Sequence, residues 1–240
     1  MTPAGDGTVP PPPGEVRLRR LPVTADAVAA AREASGVLSA QERERAAAFR
    51  RAADRDLYLV AHVGLRSVVA PVLGVAPREV VLGAAPCPSC GEPHGRPVLP
   101  QAPGLHVSLS HAAGLAVVAL AAHEVGVDVE PRDRPAAELE GLLPELHPDE
   151  RRLVVAATDR SAALLRVWVR KEAATKARGV GLAEPLHEHS TAWAGTRGVA
   201  ADGLHVLDVD AGPEHLGAVA VRAPRGVEPT VVVPGRRPGT

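Results

Sequence analysis

The sequence predicts an α+β protein, and three observations carry that prediction. Apolar residues between Arg160 and Arg178 recur at helical spacing and stop at Gly179, a residue suited to a left-handed helix end. Leu105, Val107 and Leu109 alternate with His106, Ser108 and Ser110, as side chains of a half-buried strand do. Ser39, followed by Gln41, Glu42 and a long Ala/Arg stretch, reads as a capped helix well upstream of those strands. The resulting order of helix, strands, helices and strands suggests two similar halves packed face to face.

Taken in order, residues 1–14 are rich in Pro and Gly without apolar periodicity and are expected to form a disordered lead. The helix opened by Ser39 should run to about Leu73, with a break near Asp54. Gly95-Arg96-Pro97 is a turn, and strands are expected over 105–110, 115–121 and 125–130. His147-Pro148-Asp149-Glu150 opens another helix, with Pro in the first turn and acids near its positive end. The helix over 160–178 follows, then strands over 204–209 and 216–222. The expected divisions are an N-terminal half over 15–122, a C-terminal half over 123–223, and a disordered tail over 224–240. Val231, Val232 and Val233 could add an edge strand to that tail. No short-period internal repeat is visible.

Composition narrows the functional classes. Of 240 residues, 45% are hydrophobic, enough for a core, but only 2% are aromatic, which draws attention to Trp168 and Trp193. Lys plus Arg number 27 against 28 Asp plus Glu, a balance that argues against a general nucleic-acid binder and leaves any anion site local. No run approaches the ~18–20 apolar residues of a membrane span, and the N-terminus lacks the order of a signal peptide. Cys87 and Cys90 are too close in sequence to staple a fold of this size. A cytoplasmic protein is the expectation.

Four segments could carry chemistry. In Val125-Gly126-Val127-Asp128-Val129-Glu130 the two acids at i and i+2 share one strand face while Val127 and Val129 take the other. Paired carboxylates repel unless a cation or water intervenes, and hard oxygen donors suit Mg²⁺ beside a phosphate; a solvated strand end is the plain alternative. Trp168, Glu172 and Lys176 recur every four residues on one helix face, so Glu172 could complete a metal site or take a proton and Lys176 could stabilise phosphate charge. An ordinary surface Glu–Lys pair would look the same. Ser108-Leu109-Ser110-His111 could hold a phosphate at a strand end. A Ser/His hydrolase is disfavoured, because no G-x-S-x-G elbow is present and strand neighbours face opposite sides. Cys87-Pro88-Ser89-Cys90 with Gly91 and His94 reads as half a zinc knuckle or as a metal-free loop.

Together, Gly95-Arg96-Pro97-Val98-Leu99, Val107-Ser108-Leu109-Ser110-His111, Val125 through Glu130, and Trp168 through Lys176 followed by Gly179-Val180-Gly181-Leu182 resemble the Sfp-type 4′-phosphopantetheinyl transferases. The similarity runs from about Leu38 to Arg222. The resemblance implies a pseudo-twofold α+β monomer whose halves enclose coenzyme A at their junction, and transfer of its phosphopantetheine arm to a serine of apo acyl or peptidyl carrier proteins. It implies that Asp128, Glu130 and Glu172 bind Mg²⁺, that Glu172 is also the candidate base, and that Lys176 lies near the pyrophosphate. Arg96, Ser110 and His111 would contact the coenzyme's phosphates and nucleotide, Lys171 would bind and Trp168 pack, and Glu150 would be a further acid near the metal. Arg96 stands where the family usually has Lys, which keeps the charge in a planar fork. Leu57 stands where an Arg often contacts the 3′-phosphate, leaving Arg45 or Arg55 as substitutes. The rival readings are a non-catalytic coenzyme A or nucleotide-binding module and a small zinc-stabilised interaction domain. Another Mg²⁺-dependent phosphotransferase would need a phosphate loop that the chain lacks. No motif identifies the carrier, which could belong to fatty acid, polyketide or nonribosomal peptide synthesis.

Overall fold

A computed structural model describes residues 8–135, 137–181, 184–193 and 195–233. Strand β1 (Glu15–Pro22) leads into helix α1 (Ala25–Glu33), then α2 (Ala40–Ala48) and the long α3 (Ala52–Leu73). A two-stranded ribbon, β2 (Gly83–Ala84) and β3 (Pro97–Val98), precedes the hairpin β4 (His106–Ala112) and β5 (Leu115–Ala121). The second half contains β6 (Val125–Pro131), α4 (Ala137–Glu140), α5 (Pro148–Ala156), α6 (Arg160–Arg178), and the strands β7 (Arg197–Val199), β8 (Leu204–Val209) and β9 (His215–Arg222). A last strand, β10 (Thr230–Val232), returns to the first half.

Two four-stranded sheets result, ordered β10-β1-β5-β4 and β6-β9-β8-β7. All pairings are antiparallel except β1 with β10. Strand patterning explains how the sheets stack. Along β5, Val118 and Leu120 meet Leu65, Val69 and Ala70 of α3, whereas Leu115, Val117, Ala119 and Ala121 face the other way. Along β9, Ala218 and Ala220 meet Val169, Ala173 and Ala177 of α6, whereas Val219 and Val221 face the other way. The two remaining faces pack on each other through Val16, Leu18, Val117, Val127, Val129 and Val219. Each half is therefore one long helix on one sheet, and the sheets close back to back over a shared aliphatic core. Full burial of a Val or Leu in such a core contributes about 1.5–3 kcal/mol.

Local chemistry sets the helix ends. Ser39 accepts from the Glu42 backbone N–H at 3.2 Å while the Glu42 carboxylate accepts from the Ser39 N–H at 2.7 Å, forming a reciprocal cap. The break expected near Asp54 falls at 49–51 instead. There Phe49 and Arg51 adopt extended backbone, and Asp54 sits in the first turn of the next helix. Helix α6 spans Arg160–Arg178 as its periodicity predicts, capped by the Asp159 carboxylate and ended by Gly179 at φ +78°.

Three expectations need correction. Within the tail from Pro224, residues 230–232 form the edge strand that Val231 to Val233 allowed, parallel to β1, in place of disorder; the remainder from 234, like residues 1–7 of the lead, lies outside the described residues. Strand β1 and helix α1, unassigned in the sequence reading, complete the first half. Finally, α3 does have the length and apolarity of a membrane span, with a mean hydropathy of 1.4. Its apolar face is instead occupied by the protein's own core, including Leu65, Val69 and Ala70.

Candidate active site

The site forms where the two sheets meet edge to edge, at β4 and β6. The Ser108 hydroxyl accepts from the Val127 backbone N–H at 3.1 Å, and the Ser110 hydroxyl accepts from the Val129 N–H at 3.3 Å. Two side-chain hydroxyls thus stand in for ladder carbonyls and suture one half to the other. Ser110 also donates to Asp128 Oδ1 at 2.9 Å, fixing that carboxylate at the seam. Ser110, expected to contact phosphate, is buried and its hydroxyl is spent on these protein partners.

Helix α6 reaches the seam because residue 126 is glycine. A Cβ there would lie 2.0 Å from the Ala173 carbonyl oxygen, 2.5 Å from the Ala177 nitrogen and 2.9 Å from Lys176 Cβ. The helix backbone therefore sits directly on the strand, two residues before Asp128. From that seat the Lys176 ammonium donates to Asp128 Oδ1 at 2.6 Å, Ser110 Oγ at 3.2 Å and the Val127 carbonyl at 3.1 Å. Trp168, on the same helix face, donates its indole N–H to Glu130 Oε1 at 3.3 Å. The Glu172 carboxylate makes no hydrogen bond among the described residues.

The three acids expected to cooperate do share one electrostatic environment. Burial raises the pKa of Asp128 most, against the lowering effect of Lys176 and Ser110. Glu130 is raised by burial and then by the Asp128 charge. Glu172 is raised by burial, then by Asp128, with Glu130 adding to it and Lys176 opposing. Asp128 Oδ2 is buried without any hydrogen-bond partner. An orphaned carboxylate oxygen among mutually repelling acids is a donor set that suits a hard divalent cation. The arrangement is open: the groups whose ligand atoms all fall within 4.8 Å of one another among the described residues are Cys87/Cys90/His94 and Glu184/Glu188/His189, not these acids. Oxygens on one Mg²⁺ at 2.0–2.1 Å are at most about 4.2 Å apart, so gripping an ion requires Glu130 or Glu172 to change rotamer.

Beside the acids lies a cleft lined by His94, Gly95, Arg96, Pro97, Ser108, Leu109, Lys176, Gly179 and Gly181. Gly179, left-handed and without a side chain, lets the end of α6 abut Arg96, whose backbone nitrogen would be 3.3 Å from a Cβ there. Arg96 donates to Glu124 at 3.3 Å, and its Nε is buried without a partner. His111 stands near the end of β4, its residue surface partly open to solvent while its ring packs against the protein. Desolvation of its ring, then the His62 charge and to a lesser degree Lys176, hold its imidazole below the ordinary histidine pKa.

Several expected site residues lie elsewhere. Lys171 points away from the seam: its buried ammonium bonds Glu150 at 3.0 Å and the His189 carbonyl at 2.7 Å, so it is not placed to bind coenzyme. Glu150, expected as another acid near the metal, is fully buried and accepts from Thr191 N–H at 2.7 Å, Thr191 O–H at 2.8 Å and His147 N–H at 3.0 Å. This pair is a structural bolt between α5 and α6. Arg45 is exposed on α2 with its guanidinium 5.6 Å over the Phe49 ring, and Arg55 is half-buried in the first turn of α3; neither lines the cleft. Leu182 lies outside the described residues. Two residues were missed: Glu124, the Arg96 partner, and Arg134, which pairs with Glu130 and stands 5.9 Å over the Trp168 ring. No helix joins Glu130 to Arg134, so their spacing carried no signal of the contact; it arises from the turn that follows β6.

An acid cluster with a lysine is seated at the junction of the two α+β halves, beside a cleft lined by Arg96 and Lys176. Comparison with known proteins gives the class. Residues 124–205 match the family model of the 4′-phosphopantetheinyl transferase superfamily. A 4′-phosphopantetheinyl transferase of Bacillus subtilis is 25% identical over 162 residues, covering 64% of this chain and 65% of that protein. The 4′-phosphopantetheinyl transferase HetI of Nostoc sp. is 30% identical over 177 residues, 71% of each chain. The chain belongs to the 4′-phosphopantetheinyl transferase superfamily.

Proposed function

We propose that this protein transfers the 4′-phosphopantetheine arm of coenzyme A to a serine of an apo acyl or peptidyl carrier protein, releasing 3′,5′-ADP. The observation that carries the reading is the convergence of Asp128, Glu172 and Lys176 at the seam, beside the cleft floored by Arg96 and Gly179. The orphaned Asp128 Oδ2 and the oxygen-only donor set fit Mg²⁺, which Asp128, Glu130 and Glu172 would hold. When bound, the ion would neutralise charge on the diphosphate of coenzyme A.

The protein's own residues account for the rest of the chemistry. Arg96 and Lys176 would bind the diphosphate in the cleft, Lys176 exchanging its bond to Asp128 for one to phosphate oxygen. Glu172, whose carboxylate makes no hydrogen bond among the described residues, would accept the proton of the serine hydroxyl, directly or through a water. The serine oxygen forms a bond to the phosphorus that carries pantetheine, and the bond from that phosphorus to the bridging oxygen breaks. 3′,5′-ADP leaves with the electron pair. Ser108 and Ser110 act by positioning, since their hydrogen bonds hold β6 and therefore Asp128 against β4. The test is intact-mass spectrometry of an apo carrier protein incubated with the enzyme, coenzyme A and Mg²⁺. The reading expects the added phosphopantetheine mass and its absence with Asp128→Ala; full activity of that variant would reject the metal assignment.

A further inference from the structure

The transferase reading leaves one chemically loaded cluster unused, the loop between β2 and β3. Cys87 Sγ, Cys90 Sγ and a ring nitrogen of His94 all lie within 4.8 Å of one another, and Cys90 Sγ is 3.0 Å from His94 Nε2. Two thiolates and an imidazole on one tetrahedral zinc, at about 2.3 Å for sulfur and 2.0–2.1 Å for nitrogen, are about 3.5–3.8 Å apart, so the side chains here need move by no more than about 1 Å. The loop backbone is already folded for that arrangement. Cys87 N–H donates to the Glu92 carbonyl and Gly91 N–H to the Cys87 carbonyl, each at 2.7 Å, and Gly91 takes the left-handed conformation at φ +79°.

We propose that Cys87, Cys90 and His94 form a zinc site, with solvent in the fourth position, that staples the loop carrying Arg96 into the cleft. The connection to Arg96 is short and rigid. Gly95 N–H donates to the Ala85 carbonyl and Ala85 N–H to the Arg96 carbonyl, both at 2.9 Å, and His94 itself lines the cleft beside Lys176. The ion is distinct from the one held by the seam acids, because thiolate and imidazole select zinc whereas carboxylates select Mg²⁺. The site is independent of the transferase reading; only its effect on coenzyme binding rests on it.

The test uses the full chain, purified under reducing conditions, with zinc measured by elemental analysis and with cobalt as a spectroscopic probe. One equivalent of zinc per chain is expected. Cobalt exchanged into the chelator-treated protein should give thiolate charge-transfer bands and the intense visible bands of tetrahedral coordination. Cys90→Ser and His94→Ala, at the exposed ligands, should each reduce zinc content at least tenfold with an unchanged circular dichroism spectrum. Asp128→Asn should keep full zinc content, and that result holds whether or not the protein transfers phosphopantetheine. Substoichiometric zinc together with no cobalt charge-transfer band in the reduced protein would overturn the proposal. So would a Cys87–Cys90 disulfide whose reduction restores no metal uptake, or retention of zinc by both variants.

Discussion

Replacing Gly126 with alanine tests how α6 is seated. The added methyl would sit 2.0 Å from the Ala173 carbonyl oxygen and 2.5 Å from the Ala177 nitrogen, where carbon needs well over 3 Å. Both atoms are helix backbone, so no side-chain rotation relieves the clash and α6 must retreat by about 1 Å or more. Overpacking of this kind costs about 1–3 kcal/mol, and in a chain of this size each kcal/mol lowers Tm by roughly 2–4 °C. The functional cost should be larger, because a 1 Å misplacement of catalytic groups can cost about 10²-fold, and Lys176 and Glu172 ride on the displaced helix. Gly141→Ala, where the methyl meets nothing within 4 Å, is the control. The assays are thermal denaturation by circular dichroism and the initial rate of carrier modification. A Gly126→Ala protein with the control's Tm and rate would refute the direct seating of α6 on β6.

Other outcomes follow from the same geometry. Because Asp128, Glu130 and Glu172 have raised folded-state pKa values, first through burial, the folded protein holds their protons more tightly than the unfolded chain does. The stability they contribute is full below their ordinary values of 3.8 and 4.5 and is lost as pH rises through the raised ones. Mg²⁺ should offset that loss, adding about 2.7 kcal/mol at 100 times its Kd near neutral pH, and very little near pH 4; calorimetric scans across pH should show the difference. Glu42 works in the opposite sense. Burial raises its pKa, but bonds from His62 and Arg66 outweigh it and bring the value to about 2, so its contribution is present above 4.5 and fades toward pH 2. Lys171→Ala should cost about 3–5 kcal/mol by stranding the buried Glu150 charge, with KM for coenzyme A unchanged in the folded fraction. Lys176→Ala should lower kcat by about 10²–10³-fold in the mass-spectrometric rate assay, and should also lower Tm, because it strips the buried Asp128 carboxylate of its cationic partner.

The parts of the fold visible in the sequence were those governed by near neighbours. The bounds of α6 follow from spacing and from Gly179, the Ser39 cap from the Glu42 three residues on, and the opposed faces of β6 from alternation, with Val127 and Val129 fully buried as expected. Strand β1 was hidden because Arg17, Arg19 and Arg20 blur its alternation, although Val16 and Leu18 are core residues. Strand β10 was signalled by the run Val231 to Val233, but its partner in β1, more than 200 positions away, leaves no local trace. The site divides in the same way. The i, i+2 acids and the i, i+4 face of α6 announced Asp128, Glu130, Glu172 and Lys176. The side chains of Ser110 and Lys171 depended on which distant partner claimed them: the Val129 N–H in one case and Glu150 in the other.

The most direct test of the account is crystallographic: anomalous diffraction from crystals grown with Mn²⁺ and coenzyme A, manganese standing in for magnesium. The account predicts one anomalous peak between Asp128, Glu130 and Glu172, at about 2.0–2.2 Å from carboxylate oxygens, with the coenzyme diphosphate on its open side near Lys176 and Arg96. A coenzyme bound elsewhere, or a metal peak that leaves Asp128 Oδ2 without a ligand bond, would contradict it.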